Sequence, residues 1–164
     1  MVELMEKAVH PMCDNHRIKR HKVFADTAAR GKSSMGWFYG FKLHVIINHR
    51  GELVNLTVTA GNVDDRKPVK QLCDMTVFGK LFGDKGYIDK SLTAWLDERL
   101  LKRRFLIETV FDELKNICQI EHSRHRSPAG FMSNLLAGLI AYCHQAKKPT
   151  LKNVLIGHSL PQVA

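Results

Sequence analysis

The chain has 164 residues, 45% of them hydrophobic, enough for one globular domain with a real core. Twenty-five Lys and Arg against sixteen Asp and Glu leave a formal charge of +9 and a pI near 9.6. That excess favours a polyanionic partner, nucleic acid first and an anionic membrane surface second. The longest apolar stretch, FMSNLLAGLIAYC at 131–143, contains Ser133, Asn134 and Gly138 and falls short of the ~20 residues of a membrane span, so no membrane is expected.

Residues 1–36 are polar and basic, with NHRIKRHK at 15–22 and ARGKSSMG at 29–36, and read mostly as loop. From Phe41 the pattern alternates: Phe41, Leu43, Val45 and Ile47 share one strand face, opposite Lys42, His44 and Asn48. NHRGE is a turn in which Gly51 can take a positive φ, and LVNLTVT is a second, β-branched strand, so the two make a hairpin. In GNVDDRKPVKQLCDM the period changes to three and four at Val69, Leu72 and Cys73, so a helix starts near Asp64 or Asp65. KLFGD has the form of a short inner strand. DKSLTAWLDERLL is amphipathic, residues 101–118 form another helix, and 129–144 form a last apolar one. After Pro149 the pattern fades, which suggests a domain over 1–151 and a loose tail over 152–164. The order implies α/β with a mixed sheet.

Two carboxylates stand out. Asp84 follows the strand KLF, and in open α/β sheets ligand sites lie outside the carboxyl ends of strands. Gly83 and Gly86 would let a phosphate or metal come close to the backbone. Asp84 also suits a cap for a helix beginning near Asp89. Glu108 flanks an apolar stripe of Leu106, Ile107, Val110, Phe111, Leu114, Ile117 and Cys118, about 60° beyond Phe111 by helical period. It can face a site or pair with Arg104 at i,i+4. Asp64 and Asp65 precede a helix, where an N-cap role accounts for them.

The basic segments divide similarly between phosphate contact and plain solvation. RIKRHK offers Arg17, Lys19, Arg20, His21 and Lys22 to a nucleic-acid backbone. EHSRHRSP, at 121–128, offers Arg124 and Arg126. With Cys118, His122 and His125 that segment has a C-x-x-x-H-x-x-H spacing, but no nearby fourth ligand of the kind zinc takes. Trp37, Phe38 and Tyr39 suit core or strand aromatics better than base-stacking platforms. No P-loop occurs. Cys13, Cys73, Cys118 and Cys143 form no C-x-x-C pair and read as reduced thiols in a cytoplasmic protein. MVELMEKAVHPMC has acids where a secretory leader would be apolar. A basic RNA-binding protein is a further class, supported by charge alone.

FGDKGY followed by RRFLIETVFDELKN resembles the catalytic core of insertion-sequence transposases of the DDE type. GWFYGFKLHVIINHRGE, TAGNVDDRKPV and QIEHSRHRSPAGFMSNLLAGLIAYCHQAKKPTL are similar to the same family, so the resemblance runs from about Cys13 to Leu151. It implies an RNase H-like mixed sheet flanked by helices, which cuts and joins double-stranded DNA at the ends of a mobile element. It implies carboxylates holding Mg²⁺, with Mn²⁺ as substitute, and no covalent enzyme intermediate. By motif, Asp84 is the second acid and Glu108 the third, both metal ligands. The family also suggests nucleoid association and is compatible with a homodimer.

Two departures bear on activity. The family's first acid is an aspartate in an Asp-Ser-Thr-like segment on the first strand. MEKAVHPMC stands there instead, with Glu6 as nearest equivalent, and Asp14 and Asp26 as substitutes by chemistry only. The apolar strand between the two helices after Asp84 is also absent, since WLDERL runs directly into LKRRF. The expectation is a shortened, internally deleted copy whose first strand and one late strand are degraded or missing, with impaired cleavage. A DNA-binding remnant without catalysis is the alternative.

Overall fold

The computed structural model describes residues 2–73, 80–83, 104–121 and 125–150. Strand β1 (Val2–Cys13) leads into a short 3-10 helix (Asn15–Arg20), then β2 (Ala29–Ser33), β3 (Gly36–Asn48) and β4 (Leu53–Ala60). Helix α1 (Lys67–Cys73), strand β5 (Lys80–Gly83), and helices α2 (Arg104–Asn116) and α3 (Pro128–Cys143) follow. The long β3 organises the sheet. Along one edge it pairs antiparallel with β1, and along the other it pairs antiparallel with β2 and β4, end to end. On the far side of β1 lies β5, parallel, with Val2 opposite Lys80 and Met5 opposite Gly83. The expected α/β fold with a mixed sheet is present, and its arrangement is compatible with an RNase H-like fold.

The hairpin expected at Gly51 forms, with φ of 71° there. The hydroxyl of Tyr142 donates to the Gly51 carbonyl at 2.7 Å, fixing the end of α3 to the turn. Leu4, Ala8 and Met12 of β1 and Leu43, Val45 and Ile47 of β3 form the main core with α2 and α3. Met5 and Ile46, on the opposite face, pack under Val69 and Leu72 of α1. Both faces are therefore covered, which explains the nearly continuous burial of β3.

Four expectations need correction. The stretch read as loop over 1–36 contains β1, the 3-10 helix and β2, so the first strand is neither degraded nor missing. Its pattern is hidden because Glu3 and His10 are buried among apolar neighbours, each 1% exposed. Backbone pairing with β3 supplies the ladder whatever the side chains, and overrides local propensity. Helix α1 starts at Lys67, because Asp64 first closes a turn, its Oδ1 accepting the Arg66 N–H at 2.9 Å. Helix α2 stops at Asn116, so Ile117 leaves the apolar stripe and is 65% exposed. The late strand expected to be missing, the helix near 89–101 and the tail 152–164 lie outside the described residues.

Candidate functional site

Glu6 sits on β1 opposite Val45, half-buried, between Leu4 and Ala8 in the alternation. It therefore belongs to the face packed by α2 and α3. Its Oε1 accepts the Lys7 N–H at 3.2 Å. Glu108 is exposed on α2, beside the buried Ile107 and Val110, which is the flank its helical period predicts. Helix α2 lies against β1, so the elements carrying Glu6 and Glu108 touch. Asp84 lies outside the described residues, and with it any spacing between Asp84 and Glu108. Its chain neighbour Gly83 ends β5 opposite Met5, the neighbour of Glu6. Asp14 and Asp26 are exposed, and Asp14 makes no side-chain cap at the 3-10 helix it precedes.

The basic residues separate by element. Arg17, Lys19 and Arg20 are exposed on the 3-10 helix, and Lys22 is exposed just after it, while half-buried Ile18 anchors that turn to the core. Arg126 is exposed one residue before Ser127, whose Oγ caps α3 by accepting the Gly130 N–H at 3.0 Å. Arg124 and His122 lie outside the described residues. His125 packs on Phe131, with ring centroids 5.7 Å apart. Among the described residues no group of three His, Cys, Asp or Glu could hold a metal ion.

Sequence reasoning missed a charge cluster on the α1 face. Lys42 is only 6% exposed, and its ammonium donates to Asp65 Oδ1 and to the Val63 carbonyl, both at 2.8 Å. The other Asp65 oxygen is paired with Lys7. Burial opposes ionisation of Asp65, but the hydrogen bonds from Lys42 and Lys7 outweigh it and hold the carboxyl below its ordinary value. Asp64 is also lowered, chiefly by the Arg66 side chain. The available signal was a lysine on the second face of a strand and an acid at the foot of the helix covering it. The aromatic triplet also divides: Phe38 and Tyr39 are buried as expected, whereas Trp37 is 54% exposed.

No curated protein and no solved structure matches the chain. The transposase DDE domain family matches residues 2–99 and 90–128, well over half of the sequence, and covers β1 through α2 with the motifs of both Asp84 and Glu108. The chain belongs to the transposase DDE-domain family.

Proposed function

We propose that this domain performs metal-dependent cleavage and strand transfer of double-stranded DNA at the ends of an insertion sequence, with Glu6, Asp84 and Glu108 as its acids. What carries this is the sheet order. Strand β5 runs parallel to β1 and ends opposite the neighbour of Glu6, and α2 packs on the β1 face to which Glu6 belongs. Strand β5, which Asp84 follows in the sequence, and α2, which carries Glu108, are thus both neighbours of β1. Carboxylate oxygens suit Mg²⁺, with Mn²⁺ as substitute, and in this reading Glu6, Asp84 and Glu108 supply them. When bound, divalent metal supplies activation of the attacking hydroxyl and stabilisation of the leaving oxygen.

The protein's own contribution is position. Glu6 reaches one methylene further than aspartate, and a displacement of ~1 Å in such a site can cost ~10²-fold in rate, so cleavage by this chain is slow. WLDERL running directly into LKRRF, with no apolar strand between, supports an internal deletion as a second cause. Arg17, Lys19, Arg20 and Lys22, with Arg124 and Arg126, hold DNA through its phosphates and carry no sequence information. The test is cleavage and strand transfer by the purified chain in Mg²⁺ and then Mn²⁺, beside Asp84→Ala, Glu108→Ala and Glu6→Asp. Weak activity, abolished in both alanine variants and raised ~10-fold or more by Glu6→Asp, is expected. Equal background in every protein, with duplex DNA still bound, would make the chain a non-catalytic DNA-binding remnant.

A further inference from the structure

We propose that the groove where β2 and β4 meet along β3 is a platform for single-stranded nucleic acid, stacking an unpaired base on Trp37 and holding its phosphates on Arg30 and Lys32. The inference deepens the function proposed above and rests on its nucleic-acid substrate, though not on the acids. The groove has a volume of about 530 Å³, within the ~300–1,000 Å³ typical of ligand sites. Its floor is rigid. A Cβ at Gly31 would collide with the Gly61 carbonyl oxygen, so β2 and the chain after β4 meet backbone to backbone.

Trp37 is the unusual feature. It faces Lys32 across the β2–β3 ladder, with the Arg30 guanidinium 4.9 Å and the Lys32 ammonium 5.9 Å from its ring centroid. This large aromatic residue is left exposed to water instead of being buried in a core. The turn beyond it is a built one. Gly36 has φ of 113°, and the Ser33 hydroxyl accepts the Met35 N–H at 3.2 Å, which leaves Met35 98% exposed at the tip.

Charge decides what such a ring would stack on. The acids lining the groove are already matched, Asp64 by Arg66 and Asp65 by Lys42 and Lys7. Arg30 and Lys32 have no carboxylate partner among the described residues, so the groove keeps net positive charge beside a flat aromatic surface. That pairing suits an anionic chain of planar groups, and an unpaired base offers the free π-face that a duplex hides. The Asn15 side chain donates to the Trp37 carbonyl at 2.7 Å, which joins the platform to the basic 3-10 helix. A strand leaving the groove would therefore meet Arg17, Lys19 and Arg20 next.

The experiment is a titration of the full chain with a labelled short oligothymidylate and with a duplex of the same length. Trp37→Ala should weaken the single strand by ~10-fold and the duplex by less than ~2-fold, and Trp37→Phe should restore much of the loss. Arg30→Ala and Lys32→Ala should each flatten the salt dependence of single-strand binding by ~0.7 in slope. Circular dichroism of Trp37→Ala should match the parent, since the ring is exposed. Unchanged oligothymidylate affinity in Trp37→Ala, an equal loss for both nucleic acids, or equally ready displacement by polyglutamate would overturn the platform. Trp37-dependent single-strand binding without any duplex binding would uphold the platform and remove the substrate of the transposase.

Discussion

Two buried regions of the sheet, one around Lys42 and one around His10, treat their polar groups in opposite ways. Under α1, Lys42 and Asp65 are ionised and paired, and the His44 ring meets the Thr59 hydroxyl at 3.0 Å. Under α2 and α3, His10 is 1% exposed, and neither of its ring nitrogens has a hydrogen-bond partner among the described residues. Its nearest aromatic contact is the edge of Phe131, with centroids 6.2 Å apart. A buried group can stay charged only where counter-charge is close, and must otherwise be neutral. His10 follows that rule. Burial drives its pKa down to about 4, against the opposing pull of Glu121.

The largest expected effect comes from breaking the paired region. Asp65→Ala strands Lys42 in the interior with only the Val63 carbonyl, and should cost about 3 kcal/mol in urea unfolding at neutral pH. Because the Asp65 pKa is lowered on folding, its contribution is present above the ordinary carboxylate range and lost as pH falls below that range through the lowered folded value. Asp65→Ala should therefore converge on the parent in acid. A loss below ~0.5 kcal/mol at neutral pH would mean that the pair contributes nothing net.

Next is the unpaired region. The unfolded chain takes up the imidazole proton first, so His10 should cost stability as pH drops from about 6.5 to about 4, by about 3 kcal/mol across that window. His10→Phe keeps an aromatic ring beside Phe131 without the orphan nitrogens. It should match or exceed the parent at neutral pH and lose less stability over the same window. His44, also lowered to about 4 chiefly by burial, gives the counterpart. His44→Phe should cost about 1 kcal/mol at neutral pH, because the Thr59 hydroxyl loses its partner. If the two phenylalanine variants behave alike in thermal and urea unfolding, pairing is not what separates the regions.

The smallest effect should come from a pair that neither region buries. Lys115 and Glu121 approach to 3.1 Å, but their side chains are 35% and 40% exposed. Glu121→Gln should change stability by less than ~0.5 kcal/mol, and less still in high salt. A larger loss would show that Glu121 acts through a buried neighbour, for which His10 is the candidate.

Local pattern was enough for the β3–β4 hairpin, the KLFG strand, and the outlines of α2 and α3, because each rests on a period within a few turns or one glycine turn. It also put Glu108 on the flank of α2 and, through collinear motifs, identified the family. Strand β1 was invisible locally, since its ladder with β3 joins residues as distant as Glu3 and Asn48, and the peptide groups that make it are blind to side-chain pattern. The same distance hid Asp65, whose partner lysines precede it by 58 and 23 residues, and whose burial follows from α1 closing over the sheet. Trp37 shows the converse. Its sequence neighbours suggest a core aromatic, but β2 ends beside it and leaves the ring in water. Sequence alone determined the periodic elements and the family, because both are written in contiguous residues. Only the tertiary structure decided which charges are paired and which aromatic faces solvent, because burial depends on elements far apart in the chain.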